Sequence, residues 1–359
     1  MNNKRVLVAP LDWGLGHATR CIPVIRELLD QHCEVQIGGA GKSLQILKDE
    51  FPELTFYDLP AYAPLYPARG SMFWKLAGQL PKFMKAIRQE HIAVSEIVKN
   101  ERIGLVISDN RYGAWSPAVP SIFLTHQLNI VPPKGGRWIR PLLRLINYQR
   151  IKNFSACWVP DLPDRKLTGD LSKPFKKIPT TYIGMLSRFK LPEFTEPTYD
   201  ILVILSGPEP QRTLLEDRVL EQLKDYNRKI LLVRGLVGEN ARTFSHAQVT
   251  IVNSLDTDEL QQAIAMSRVV IARSGYSTIM DLSIFQSKSI LIPTPGQTEQ
   301  LYLANRLYRK GIIFSVTQQD FQIQPAFLKA TKLKRPFPEN DPTLLGKAIK
   351  NLLSNHEEV

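Results

Sequence analysis

The residues equipped for chemistry stand where short apolar runs break. The run Val6 to Ala9 leads into Pro10-Leu11-Asp12-Trp13-Gly14-Leu15-Gly16-His17. Gly14 and Gly16 let backbone approach a ligand closely. His17 falls at the start of an amphipathic helix, where free N–H groups and the positive dipole end lower its pKa and favour the neutral imidazole a base requires. A Gly-x-Gly turn alone is common, and the full dinucleotide fingerprint is absent. The run Ile103 to Ser108 delivers Asp109-Asn110-Arg111-Tyr112-Gly113, and in a parallel sheet Asp109 reaches the same edge as His17, as a candidate partner for its ring. Ser121 to Thr125 delivers His126-Gln127-Leu128-Asn129, which makes His126 the reserve base. Polar clusters at three strand ends imply a shared acceptor cleft.

A second constellation suits an anion. The β-branched run Val269 to Ala272 is broken by Arg273-Ser274-Gly275, and a helix should follow, with Ser277 or Thr278 as its cap and Asp281 in its first turn. Ser289 to Pro293 ends in Thr294-Pro295-Gly296 and opens a helix carrying Gln297, Glu299, Gln300 and Asn305. Two strand-to-helix turns then converge on one crevice fit for a nucleotide diphosphate. The loop Ser206-Gly207-Pro208-Glu209-Pro210-Gln211-Arg212 adds a third glycine turn, although its two prolines remove backbone donors. Arg234 and Arg273 are candidates for stabilising charge on a departing diphosphate.

These residues need strands to carry them. Val35 to Gly38, Thr55 to Leu59, Ala156 to Pro160 and Thr181 to Gly184 complete a first set. Asp200 to Leu205, Lys229 to Arg234, Val249 to Val252, Val269 to Ala272 and Ser289 to Pro293 form a second, each interleaved with helices such as Thr213 to Leu223. That is doubly wound α/β twice over, and 359 residues suit two domains. The expected bounds are residues 1–187, a proline- and charge-rich linker over 188–199, a second domain over 200–338, and a last helix, Asp341 to Leu353, within 339–359.

The order Arg273-Ser274-Gly275, Thr278, Asp281, then Pro293 to Gln300 and Asn305, resembles the nucleotide-sugar signature of glycosyltransferase family 28. Gly14, Gly16 and His17 match that family's N-terminal glycine loop, and His126 to Asn129 resembles its His-Glu-Gln-Asn turn with the Glu missing. Tyr182 to Arg188 resembles the strand that leads to an interdomain arginine. The resemblance covers nearly the whole chain and implies a GT-B fold: two Rossmann-like doubly wound parallel-sheet domains facing a central cleft, with the final helix packing back on the first. It implies a nucleotide sugar donor, with UDP as the nucleotide, contacted by Gly14, Gly16, Arg188, Ser206, Gly207, Arg234, Arg273, Ser274, Gly275, Thr278, Asp281, Gln297, Glu299 and Gln300. At Asp281 the family usually has Glu, which holds the ribose hydroxyls. The implied reaction is inverting, needs no metal and no cofactor, and serves a lipid-linked or other cell-envelope acceptor.

Composition narrows the partners. The net charge of +12 calls for an anion. Between Asn110 and Pro160 there is no acidic residue, while Arg111, Lys134, Arg137, Arg140, Arg144, Arg150 and Lys152 gather beside Trp138, Ile139, Leu142, Leu143 and Ile146. A second basic amphipathic stretch, Ser71 to His91, carries Phe73, Trp74, Leu76, Leu80, Phe83, Met84 and Ile87. Such mixtures suit an anionic lipid surface, and no nucleic-acid reader motif accompanies them. No uncharged apolar stretch is long enough to span a bilayer and no secretory h-region precedes the first strand, so a cytoplasmic protein, peripheral at the inner membrane face, is expected. Cys21, Cys33 and Cys157 are scattered without metal spacing and read as reduced thiols. Gly38-Gly39-Ala40-Gly41-Lys42-Ser43 is no phosphate loop, because Gln36 stands where that motif needs glycine. Asp256-Thr257-Asp258 mimics a metal-binding Asp-x-Asp but opens the helix Glu259 to Met266, with Asp258 as cap. Two rivals remain: a nucleotide-sugar hydrolase or epimerase on the same scaffold, and a noncatalytic protein that binds anionic surfaces.

Overall fold

A computed structural model describes residues 4–64, 75, 77–133, 135–191, 196–223, 226–236, 243–246 and 248–354. They form two compact units, one drawn from the chain up to Arg188 and again from Asn340, the other from Phe189–Glu339.

In the first unit β1 (Arg5–Pro10), α1 (Leu15–Asp30), β2 (Glu34–Gly39), α2 (Gly41–Glu50) and β3 (Thr55–Asp58) follow in turn. Then come α3 (Leu80–Asn100), β4 (Leu105–Asp109), β5 (Ser121–Leu124), α4 (Arg140–Ile151), β6 (Ala156–Val159) and β7 (Thr180–Tyr182). The strands make one sheet in the order β3-β2-β1-β4-β5-β6-β7, with every pairing parallel. Val6, Leu7, Val8, Leu105, Val106 and Ile107 are wholly buried. A parallel sheet is covered on both faces, which is why these strands read as unbroken apolar runs.

The second unit holds β8 (Tyr199–Ile204), α5 (Gln211–Leu223), β9 (Ile230–Val233), β10 (Thr243–His246), β11 (Val249–Val252) and α6 (Thr257–Ala265). It continues with β12 (Ser267–Ala272), α7 (Tyr276–Ile284), β13 (Ser289–Leu291), α8 (Thr298–Arg309), β14 (Phe314–Ser315) and α9 (Ile323–Thr331). Its order is β10-β11-β9-β8-β12-β13-β14; β10 runs antiparallel to β11, and the other pairs are parallel. Ile201, Val203, Val219, Leu232, Ile271 and Phe321 anchor its core.

The chain then returns to the first unit as α10 (Thr343–Ser354). Asn340 clamps Met185 from both sides, accepting from its N–H at 2.8 Å and donating to its carbonyl at 3.1 Å. Gln31 of α1 donates to the Gly346 carbonyl at 3.2 Å, and a Cβ on Gly346 would stand 2.7 Å from a Glu27 carboxylate oxygen. A side chain at 346 would have to displace the Glu27 carboxylate from its place between α10 and α1.

Several local expectations change. The helix expected over Ser71 to His91 is α3, which starts at Leu80 with Pro81 in its first turn and runs on to Asn100; Phe73, Trp74 and Leu76 lie outside the described residues, as does Lys134. Ser277 and Thr278 are not caps: α7 begins at Tyr276 on Gly275, with no side-chain cap, so both sit inside its first turn and Asp281 falls one turn later. Asp258 does not cap α6 either, because Asp256 accepts from the Glu259 N–H while Glu259 reaches back to the Asp256 N–H, a reciprocal capping box. The expected linker starts packed: Phe189 is buried against Phe285, and the Lys190 N–H donates to Gln261 at 2.8 Å; residues 192–195 lie outside the described residues. The three cysteines are free and buried. No helix among the described residues is long and apolar enough to cross a membrane.

Candidate active site

In the first sheet the chain winds outward in opposite directions from β1 and β4, so their carboxyl ends flank a topological switch point, where open α/β sheets bind ligands. Pro10 lies opposite Asp109, and Asp109 opposite Leu124, so three strands end level. The turn after β1 rises from that edge on Gly14, whose φ of 80° is a conformation L side chains rarely adopt. The Ser43 hydroxyl holds the Gly14 carbonyl at 3.1 Å. His17 is the third residue of α1.

The structure brings His17, Asp109 and His126 together around Arg20. His17 Nδ1 lies 3.0 Å from Asp109 Oδ2, with its side chain 16% exposed and the carboxylate fully buried. Arg20 Nε donates to Oδ2 at 2.8 Å, and Nη2 donates to Oδ1. Nη2 also faces His17 Nδ1 at 2.8 Å, and Nη1 faces His126 Nδ1 at 3.1 Å. Burial pushes the His17 pKa down, the Arg20 charge pushes it further, and Asp109 opposes both. Burial alone would raise the Asp109 carboxyl, but the charges of Arg20 and then His17 outweigh it and hold it down at about 2. His17 is thus neutral and Asp109 ionised at neutral pH. In sequence, Arg20 reads only as one residue of an amphipathic helix. The signal that could have found it is its i,i+3 spacing from His17, which stacks the two on one helix face.

Arg111 is no surface cation. It is wholly buried, ion-paired to buried Glu90, and donates to the Pro10 carbonyl at 2.7 Å, bracing the end of β1. Arg144 is drawn to Asn129 and to the Pro174 carbonyl at 2.9 Å, and Asn129 in turn donates to the Lys173 carbonyl at 2.8 Å, so this pair ties loops together. Trp138, by contrast, is 80% exposed, and Leu142, Leu145 and Ile146 are exposed beside it on α4, with Leu80 and Met84 exposed on α3.

In the second unit β8 and β12 are neighbours from which the chain again winds in opposite directions, with β13 beside β12. Ser206 and Gly207 follow β8, Arg273 to Gly275 follow β12, and Thr294 follows β13, all at one carboxyl edge. Gly207 has φ 104°, and a Cβ there would stand 3.6 Å from Thr294 Oγ1, a buried hydroxyl with no hydrogen-bond partner among the described residues. Gln300 fastens the two turns, accepting from the Thr294 N–H at 2.8 Å through its side chain and from the Ser274 hydroxyl at 3.0 Å through its carbonyl. Asp281 is half-buried, while Gln297 and Glu299 stand at the start of α8. Arg273 does not present its charge to an anion: it is 1% exposed, donates to the Gln211 carbonyl at 2.6 Å and to Gln318 at 2.7 Å, and burial lowers its pKa to about 10. Arg234 is paired with Glu216 and donates to Asn253 at 3.1 Å. Glu216 also takes Arg212 at 2.6 Å, so the cationic charge expected from Arg234 is largely met within the unit.

Two doubly wound sheets, parallel but for β10, with glycine turns at their switch points, make up the architecture of the GT-B fold. Residues 201–344 match the glycosyltransferase family 28 C-terminal domain. An uncharacterized glycosyltransferase of Methanopyrus kandleri is 23% identical over 321 residues, 82% of this chain and 87% of that protein. MurG of Acinetobacter baumannii superposes with a TM-score of 0.57 at 14% identity, covering 98% of this chain and 99% of that one. The glycosyltransferase VinC, solved in complex with dTDP, superposes with a TM-score of 0.63 at 13% identity, covering 99% and 100%. Residues 201–344 thus carry a family 28 C-terminal domain, and the chain is a glycosyltransferase.

Proposed function

We propose that the chain transfers a sugar from a nucleoside diphosphate to an acceptor hydroxyl, with inversion at the anomeric carbon and without a metal ion. The observation that carries this reading is His17 Nδ1 held 3.0 Å from the fully buried carboxylate of Asp109 at a switch point. The acceptor O–H gives its proton to His17 Nε2 while its oxygen attacks the anomeric carbon. The bond from that carbon to the diphosphate breaks, and the diphosphate leaves with the electron pair. Asp109 stabilises the imidazolium that forms. The donor belongs to the second unit. There the Ser206-Gly207 turn, the orphan Thr294 hydroxyl and the start of α7 offer donors to phosphate, and Asp281 accepts from the ribose hydroxyls. Metal independence is in keeping with Asp256, whose carboxylate is already committed to the α6 capping box.

Residues 1–187 then serve the acceptor, 200–338 the donor, and 188–199 link them. UDP is the nucleotide we assign, and the dTDP bound by VinC supports a pyrimidine diphosphate. The acceptor we assign is lipid-linked. The exposed Trp138, Leu142, Leu145 and Ile146, flanked by the half-exposed Arg140, support peripheral attachment to the inner face of an anionic membrane.

A panel of UDP- and dTDP-sugars, incubated with and without extracted membrane lipid, tests the reading. Product that depends on the lipid acceptor and carries the inverted linkage is expected. Rapid quantitative hydrolysis without acceptor would overturn transfer in favour of hydrolysis.

A further inference from the structure

The guanidinium of Arg20 touches both imidazoles and the carboxylate of the site, at 2% exposure. A guanidinium only donates hydrogen bonds. Nδ1 of His126 must accept from it, and Nδ1 of His17 lies between the Arg20 donor at 2.8 Å and the Asp109 acceptor at 3.0 Å. We propose that Arg20 is a positioning residue of the transfer reaction: it clamps Asp109 and, by setting an N–H against Nδ1 of His17, disfavours the imidazolium, so that the ring rests neutral beside an oriented carboxylate. The inference rests on the transferase reading for its catalytic consequence and on geometry alone for the effect on the ring.

The two neighbours of Nδ1 pull in opposite directions. In the imidazolium both ring nitrogens are donors, so Nδ1–H suits Asp109 and confronts the Arg20 N–H. In the neutral ring Nδ1 either accepts from Arg20, leaving the proton on Nε2, or donates to Asp109, leaving the lone pair on Nε2. Arg20 therefore penalises the charged form of His17 while Asp109 favours it, and the salt bridge between them blunts the pull of the carboxylate. The groups facing His17 are Arg20 from its own helix, Asp109 from β4 and His126 after β5; Cys21 Sγ adds a weak donor to Asp109 at 3.7 Å. Transfer runs through the tautomer whose Nδ1–H already donates to Asp109, leaving the Nε2 lone pair to take the acceptor's proton, while Arg20 keeps the carboxylate oriented through Nε. The device makes proton capture possible at lower pH than a bare His-Asp pair would allow.

The test combines an NMR titration of the His17 ring, assigned from the His17→Gln spectrum, with the pH profile of kcat/KM for wild type, Arg20→Gln, Arg20→Lys, Asp109→Asn and Arg20→Gln/Asp109→Asn. In Arg20→Gln the ring should protonate at higher pH. The ratio of kcat/KM on the alkaline plateau to that on the acid limb should rise about tenfold for each unit the limb moves, with KM for the donor unchanged. Arg20→Lys keeps the charge and should restore part of the profile. Should Arg20→Gln not fold, the double variant lacks both buried charges, and its ring must protonate at higher pH than that of Asp109→Asn. Folded variants whose ring titration and acid limb coincide with their parents' would overturn the proposal and leave Arg20 a structural residue. If the wild type turns over no nucleotide sugar, the transferase reading fails, while the titration still decides whether Arg20 governs His17.

Discussion

At the scale of single residues, the site is a balance of buried charges whose loss can be read in rate and in stability separately. His17→Ala should slow turnover by about 10²- to 10⁴-fold, the usual contribution of a positioned base, with donor binding unchanged in calorimetry. Equal loss of donor binding would move His17 to a binding role. Near-normal turnover in that variant, together with abolition in His126→Ala, would instead transfer the base to His126. Asp109 also sets an acid limit on the fold. Its folded pKa of about 2 lies below the unfolded value, so its stabilising effect is complete above about pH 4 and is lost as pH falls toward 2. That amounts to about 2 kcal/mol. His17, lowered below the ordinary histidine value, works in the same direction, because the unfolded ring takes up a proton first as pH falls through about 6.5. Urea unfolding across this range should show both losses, and Asp109→Asn should lack the more acidic one. His17 and Asp109 were legible in sequence because a glycine turn and a strand end announce position. Arg20 was not, because in a helix a buried arginine and a solvated one have the same spacing. Arg273 was legible as charge but not as a brace, since its partners, backbone carbonyls and the Gln318 side chain, are distant in sequence.

At the scale of elements, both units place function on turns between a parallel strand and a helix start. Asp281→Ala should remove most of the thermal shift that UDP gives the wild type; an unchanged shift would exclude Asp281 from the ribose site. On α4 the exposed apolar face makes a separate prediction. Trp138→Gln/Leu142→Gln should abolish salt-sensitive sedimentation with anionic vesicles while leaving Tm unchanged, since neither side chain is buried. Loss of Tm would show that the face packs within the protein. Strands were legible because burial on both faces leaves unbroken apolar runs, and their observed bounds differ from those expected by a residue or two. Helix starts were harder. A glycine, an exposed proline and an aspartate all stand at helix starts here, and in α6 two aspartates compete for the cap. The short strands β10 and β14 offer too few residues for an alternating pattern to declare itself.

At the scale of the whole molecule, two domains followed from length and from the repeated strand-helix rhythm, whereas β10's antiparallel pairing has no counterpart in that rhythm. Deleting residues from Asn340 onward should strip the cover from α1 and lower the unfolding midpoint of the first unit, followed through Trp115 and Trp158 fluorescence. An unmoved midpoint would show that α10 is dispensable. Among the described residues the second unit is one stretch of chain, while the first is closed only by α10. Domains emerging from the ribosome ordinarily fold in the order they are made. Here the later-encoded unit can complete itself first, while the helix that carries His17 waits on the ribosome for its last neighbour, so a chaperone that holds nascent chains should engage the first unit for longer.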